Sequence, residues 1–270
     1  VIGDFDERKA ILNGIDDYLM DVKKGKRIRK LLLEVTENCN LACKYCYVPH
    51  SRILSGNKMT YEMGKNAVEK FLSLVIGQAA QNEVHIRFFG GEPLIEIKMI
   101  KELCSYIDQL DKGKLKIQYY INTNALLLTE DVINFLKAYR FKIGVSMDGP
   151  KEIHDKYRVF KNNMGSYDLV IKKIKLLVDK GFPVEDIELY VTLNDTSIDY
   201  LRQTILECKK LNLINLEVEM LHDFDGKYNI SHERRISAIC DAIKFGDENG
   251  IKVSGKWLKL YNRLKKASLN

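Results

Sequence analysis

Three cysteines fall within eight residues, in the run Thr36-Glu37-Asn38-Cys39-Asn40-Leu41-Ala42-Cys43-Lys44-Tyr45-Cys46-Tyr47. Thiolates are the soft ligands that hold iron–sulfur clusters and zinc. Intervals of three and two residues inside one loop let all three sulfurs converge on one inorganic centre. A [4Fe–4S] cluster held wholly by protein takes four cysteines. With no fourth cysteine nearby, one iron would stay open to an incoming ligand, much as a catalytic zinc site keeps an open position. His50 follows Cys46 after three intervening residues, so Cys39, Cys43, Cys46 and His50 would also suit a Cys3His zinc site. Both readings stand on the cysteines alone. Cys104, Cys208 and Cys240 are scattered through apolar helical patterns and read as small buried hydrophobes.

Other residues with chemical potential come in short blocks. Phe88-Phe89-Gly90-Gly91-Glu92-Pro93 places two glycines after an apolar run, where the backbone either turns or closely approaches a ligand. Ile121-Asn122-Thr123-Asn124 follows a second run. A third block is Val145-Ser146-Met147-Asp148-Gly149-Pro150-Lys151-Glu152-Ile153-His154, with Arg158 beyond it. Asp148 reads as a turn-former ahead of Gly149-Pro150, and His154 as a satisfied structural histidine. Asn194 and Leu221-His222-Asp223 close two further runs. His222 and Asp223 are candidate acid–base groups on a substrate side.

The elements that must position these blocks are short apolar runs alternating with helical periods. The runs are Leu31–Thr36, Glu83–Phe89, Lys116–Asn122, Lys142–Met147, Ile187–Asn194 and Ile214–Met220. Rich in Val, Ile, Tyr and Phe, they read as parallel strands, most of them buried on both faces. Between them, Tyr61–Ile76 follows Thr60 as N-cap and carries Val68, Phe71, Leu72 and Val75 on one face. Tyr167–Lys180 stops at Gly181, a suitable C′ residue. Helices near Ile95–Leu110, Thr129–Tyr139, Ser197–Leu211 and Glu233–Gly246 complete six βα units. Such a series gives right-handed crossovers and a parallel sheet. The expected fold is α/β, an open, partial (β/α)6 TIM-like barrel, with a flat doubly wound sheet as its competitor. Cysteines, paired glycines, Asn124, Ser146, Asn194 and Asp223 all lie just past the carboxyl end of a strand. In a parallel barrel those ends share the rim that carries active sites.

Three divisions follow: a helical segment at 1–30, a core at 31–225, and a helical extension at 226–270. The extension ends in a basic amphipathic stretch with Trp257, Leu258, Leu260, Tyr261 and Leu264, expected to pack on the core or lead towards a further domain. With 46% apolar and 30% charged residues the chain is ordinary globular material. Its formal charge of +6 suits an acidic partner without selecting one. No apolar stretch is long enough to span a bilayer, and the charged amino terminus is no signal peptide. A cytoplasmic protein is expected. The run Lys23-Lys24-Gly25-Lys26-Arg27-Ile28-Arg29-Lys30 would touch phosphates in a binding module, but no aromatic residues interleave it for base stacking. Nucleic acid is not an expected partner.

The C-x3-C-x-Tyr-C pattern, with Tyr45 as its aromatic, resembles the signature of the radical S-adenosylmethionine (SAM) superfamily. The resemblance covers residues 30–225. It implies a [4Fe–4S] cluster on Cys39, Cys43 and Cys46, whose open iron takes the amino and carboxylate groups of SAM. Reduction then yields a 5′-deoxyadenosyl radical that abstracts hydrogen from substrate. Gly90, Gly91 and Glu92 match the motif that meets SAM's amino group. Asn124 lies in a segment similar to T-N-G, with Ala125 replacing the glycine. Ser146 inherits the ribose contact, with Asp148 as an alternative ribose ligand to its reading as a turn-former, and Arg158 the approach to SAM's charged end; Tyr45 and Asn194 complete the implied SAM site. Gly-Gly-Glu-Pro together with Ser-Met-Asp-Gly-Pro and His154 is similar to the SPASM-type branch. Those enzymes oxidise peptides or proteins and carry a cysteine-rich C-terminal domain with auxiliary clusters. Nothing after Cys240 supplies such ligands here, so that domain is expected outside this chain, the alternative being a protein that works with one cluster; residues 1–30 are expected as a remnant of a leader-binding domain. The implied activity is maturation of a ribosomal peptide by a thioether or carbon–carbon cross-link. Formylglycine formation by an anaerobic sulfatase maturase is the alternative, and Phe89, where those enzymes tend to carry glutamine, favours the former. A peptide or protein substrate and a flavodoxin- or ferredoxin-type electron donor are the implied partners. The zinc-binding module remains the non-enzymatic alternative.

Overall fold

The computed structural model describes residues 28–46, 48, 56–76, 83–221 and 230–255. The expected helical segment before residue 28, His50, His222, Asp223 and the tail from residue 256 lie outside the described residues.

Among the described residues seven strands form one sheet: β1 (Lys30–Thr36), β2 (Glu83–Gly90), β3 (Lys116–Thr123), β4 (Lys142–Ser146), β5 (Ile187–Leu193), β6 (Asn215–Met220) and β7 (Lys252–Ser254). They lie in sequence order, and every neighbouring pair is parallel. β1 and β7 end the order without meeting, so the sheet is an open, partial barrel. Six strands are as expected to within one or two residues. The seventh was read as part of a helical extension. Three residues are too few to display alternation, and β7 is fixed instead by pairing, beginning with the Lys252 N–H to Ile214 O bond of 2.7 Å.

Helices occupy the crossovers: α1 (Tyr61–Val75), α2 (Ile97–Gln109), α3 (Glu130–Ala138), α4 (Lys151–Tyr157), α5 (Tyr167–Asp179), α6 (Leu201–Lys210) and α7 (His232–Glu248). Thr60 caps α1, its hydroxyl oxygen accepting from Met63 N at 3.2 Å. After α5, Gly181 takes a φ of 66° and returns its N–H to Val178 O at 2.8 Å. A glycine meets that left-handed geometry without steric cost. The short α4, which follows Pro150, was not foreseen as a helix.

Each strand buries one face. Val84, Ile86 and Phe88 of β2, Ile143 and Val145 of β4, and Leu189 and Val191 of β5 lie against the helices, almost wholly excluded from water. Phe88, Tyr119 and Phe141 stack there, with centroids 5.2–6.4 Å apart. Burying each such side chain stabilises the fold by roughly 1.5–3 kcal/mol. The alternate positions are only half-buried: His85, Arg87 and Phe89; Gln118, Tyr120 and Asn122; Lys142 and Ser146; Glu188, Tyr190 and Thr192; Glu217 and Glu219. This corrects the expectation of strands buried on both faces. The inner wall of an open barrel has no second helical layer to dry it, so it stays polar. Gly144 on that wall leaves room for Tyr190, since a Cβ there would stand 2.5 Å from the tyrosine ring.

Candidate active site

The cysteine loop leaves β1 at Thr36 and is gripped from two sides. On one, Gly91 N–H donates to Thr36 O and Glu92 N–H to Asn38 O, each at 2.8 Å. On the other, Ala42 N–H reaches Val159 O at 2.8 Å and Lys44 N–H reaches Tyr157 O at 2.9 Å. The Cys46 N–H closes a turn on Cys43 O at 3.0 Å. These bonds set the loop's backbone before any metal is considered.

The glycine pair is part of that grip. A Cβ on Gly90 would fall 2.2 Å from Thr36 O, and one on Gly91 would fall 2.3 Å from Asn38 O and 2.7 Å from Glu37 O. Both glycines therefore let the end of β2 press against the backbone of the cysteine loop. Glu92 turns inward and is fully buried. Its carboxylate accepts from Leu94 N at 3.1 Å, Thr123 Oγ1 at 2.7 Å and Asn124 N at 2.8 Å, which ties β2 to the end of β3. Burial outweighs those three donors and raises its pKa to about 7.

Cys39 and Cys43 are half-buried and Cys46 is exposed. Burial pushes the Cys43 thiol up to about 12 and raises Cys39 as well, while the Arg158 charge pulls both down. A bound metal would have to supply the remaining drive to thiolate. Leu41 N–H points at Cys39 Sγ from 3.5 Å. Asn124 Nδ2 donates to Asn40 Oδ1 at 2.7 Å and lies 3.9 Å from Cys39 Sγ, so Asn124 meets the cysteine loop directly. Its neighbour Ala125 adopts a φ of 68°. Alanine thus keeps the left-handed turn that a glycine would make more easily.

Behind the loop lies a buried ion pair. Asp148 accepts from Arg158 Nε at 2.9 Å and Nη2 at 3.4 Å, from Thr192 N at 3.0 Å, and from the Tyr45 phenol. Arg158 also donates to Thr192 Oγ1 at 3.3 Å and stacks 5.4 Å from the Tyr45 ring centre. The Asp148 side chain is thus an ion-pair partner, not the turn-former the sequence suggested. His154 is structural, as expected. Its Nδ1 accepts from Asp148 N at 3.4 Å, and its Nε2–H donates to Ser166 Oγ at 2.9 Å, while the serine hydroxyl donates to Arg158 O at 2.8 Å. Ser146 is half-buried at the end of β4, in register with Tyr190. Cys104 and Cys208 are buried as foreseen, whereas Cys240 is exposed on α7.

Asn194, past the end of β5, is fully buried. Its Oδ1 accepts from Thr196 N at 2.9 Å and Ser197 N at 2.8 Å. That leaves Nδ2 buried with no partner among the described residues. A buried amide donor without an acceptor costs about 1–3 kcal/mol, and a bound polar ligand would remove that cost. Three cysteines on one clamped loop, with an orphaned donor at a strand end on the same rim, fit a soft-metal cluster and a polar cofactor. Ser166 and Thr192 escaped the sequence reading, and Thr123 entered it only as part of the T-N-G-like segment, because a lone hydroxyl in a strand or turn carries no signal of its partner.

Residues 33–206 match the radical SAM superfamily, and the chain belongs to it. Members of this family use a [4Fe–4S] cluster and SAM. The radical SAM cyclopropyl synthase TigE of Paramaledivibacter caminithermalis is 26% identical over 289 residues, covering 98% of this chain and 59% of that protein. The cysteine-type anaerobic sulfatase-maturating enzyme of Clostridium novyi is 33% identical over 156 residues, covering 56% of this chain and 41% of that enzyme. The chain therefore spans less than two thirds of the length of either relative. Among solved structures, anSMEcpe with bound AdoMet and Kp18Cys peptide superposes with a TM-score of 0.72 at 21% identity, over 85% of this chain and 64% of that one. Streptococcus suis SuiB bound to precursor peptide SuiA gives 0.64 at 14% identity, over 95% and 56%. At these identities the structural likeness shows the fold.

Two consequences are measurable. Gly91→Ala must displace the backbone at residues 37–38, which should cost about 1–3 kcal/mol in urea unfolding and lower the iron retained after anaerobic reconstitution. Retention equal to wild type would contradict the close packing. His154, lowered from 6.5 to about 4 by burial, is held neutral in the folded state while the unfolded chain protonates it. Its stabilisation is full above pH 6.5 and is lost as pH falls towards 4, by about 3 kcal/mol. Between pH 6.5 and 4 wild type should lose about 3 kcal/mol of unfolding free energy relative to His154→Gln. Glu92, raised to about 7, gains stability over the same window in both proteins and cancels in the difference. A difference independent of pH would contradict the assignment.

Proposed function

We propose that this chain is the catalytic core of a radical SAM peptide maturase, binding SAM beside a cluster on Cys39, Cys43 and Cys46. The observation that carries the cofactor part is the orphaned Nδ2 of Asn194, a donor fixed by its own Oδ1 bonds and left without an acceptor. Cluster and SAM together supply a hydrogen-abstracting radical. The chain's own residues clamp the cysteine loop through Gly90 and Gly91, pin the β2 and β3 ends through Glu92, and present Ser146 and Asn194 at neighbouring strand ends. In this reading Tyr45, Asn124 and Arg158 shape the pocket around SAM.

The inner wall supports a peptide substrate. Its rows of Arg87, Tyr120, Asn122, Glu188, Tyr190 and Thr192 offer donors and acceptors along the barrel, as a polar backbone requires. Likeness to TigE along nearly the whole chain, and Phe89 ahead of the glycine pair, favour cross-linking or ring-forming chemistry on a ribosomal peptide over formylglycine formation. A flavodoxin- or ferredoxin-type donor would deliver the electron, and a cytoplasmic setting suits the oxygen-sensitive chemistry. Among the described residues no helix is long and apolar enough to cross a membrane.

The test uses the whole protein, reconstituted anaerobically with iron and sulfide, then given SAM, dithionite and candidate peptides encoded beside it. The proposal expects 5′-deoxyadenosine and a peptide lighter by two hydrogens that does not react with an aldehyde probe. An aldehyde-reactive product would select formylglycine chemistry. Release of no 5′-deoxyadenosine from iron-loaded protein would refute the proposal. Separately, Asn194→Asp keeps the Oδ1 acceptor but replaces the orphaned donor, and should weaken SAM binding about tenfold by calorimetry. Unchanged affinity would remove Asn194 from the site.

A further inference from the structure

A fully buried carboxylate persists only where it is paired and hydrogen-bonded, and Asp148 is satisfied by three separate stretches of chain. Arg158 follows α4, Thr192 N belongs to β5, and Tyr45 belongs to the cysteine loop. Tyr45 stands between Cys43 and Cys46, so its phenol carries the position of Asp148 directly into the turn that sets two sulfurs. The contact is reinforced around the Tyr45 ring and along the backbone. Arg158 stacks on the Tyr45 ring, the Tyr157 ring packs at 5.6 Å, and Lys44 N–H binds Tyr157 O. The same carboxylate compensates the Arg158 guanidinium, which lies over the ring of Tyr45, the residue between Cys43 and Cys46. Removing Asp148 would therefore both unlatch the turn and leave a bare positive charge beside the sulfurs.

We propose that Asp148 is a positioning residue for the metal centre. Through Tyr45 it holds the Cys43–Cys46 turn in place, and through Arg158 it sets how readily the bound centre accepts an electron. This rests on the reading of the three cysteines as cluster ligands, and two variants test it on the reconstituted chain.

In Asp148→Asn the negative charge is gone and the Arg158 charge is uncompensated. The reduced cluster, one electron more negative, is then favoured. With dithionite and redox mediators holding the solution at the wild-type midpoint, the ratio of reduced to oxidised cluster seen by electron paramagnetic resonance should rise about tenfold. In Tyr45→Phe the charges stay and only the phenol hydrogen bond is lost. The midpoint should hold, while an iron chelator strips the cluster about tenfold faster from protein with a wild-type circular dichroism spectrum. A wild-type midpoint in folded Asp148→Asn, or wild-type iron loss in Tyr45→Phe, overturns the proposal. Should Asp148→Asn fail to fold, the Tyr45→Phe chelation rate decides alone. Wild-type protein that takes up no iron and sulfide would sink the cluster reading itself, an outcome distinct from either.

Discussion

Seven strands running in the same direction bring every carboxyl end to one rim, and the remaining features of the molecule depend on that constraint. Side chains on successive residues point to opposite faces of a strand. A single parallel layer backed by helices on one side therefore sorts residues into a dry outer face and a wet inner one. Ile86, Ile121, Val145 and Val191 sit on the first; Arg87, Asn122, Ser146 and Thr192 sit on the second. The loops that carry cysteines, glycines and amides need no special device to find one another. They emerge side by side because β1 to β5 lie side by side.

What the parallel sheet brings together, two buried carboxylates lock. Glu92 joins the ends of β2 and β3, taking donors from Leu94, Thr123 and Asn124. Asp148 joins the segment after β4, β5 and the cysteine loop through Arg158, Thr192 and Tyr45. Each is costly alone and tolerable only with its donors in place. The conformation of the rim is thereby coupled to complete satisfaction of these groups. Asn194, on the same rim, keeps one buried donor without a partner among the described residues.

Much of this architecture was legible in the residues. The six apolar runs gave six strands, Thr60 and Gly181 marked helix ends correctly, and the spacing of Cys39, Cys43 and Cys46 carried the family. The failures have physical causes. β7 depends on pairing with β6, which no local pattern in Lys252-Val253-Ser254 reveals. The inner wall was misread as buried because Phe89, Tyr120 and Tyr190 look apolar in a one-dimensional pattern, although Glu188-Leu189-Tyr190-Val191-Thr192 alternates. Asp148 was assigned to a turn because Gly149-Pro150 follows it. Its true partner Arg158 is ten residues away and meets it only after α4 folds the chain back. The glycine pair left a turn and a close approach to a ligand open, and its packing on the backbone of Thr36 and Asn38 lay beyond a local pattern because those residues belong to another strand end.

The central claim is that the clamped loop holds a cluster of iron and sulfide on three thiolates. Chemical analysis of metal and acid-labile sulfide in anaerobically purified chain tests it most directly. The account expects about four irons and four sulfides per chain, lost together when Cys39, Cys43 and Cys46 are replaced by alanine. A colourless protein with one tightly held zinc and no sulfide would contradict it.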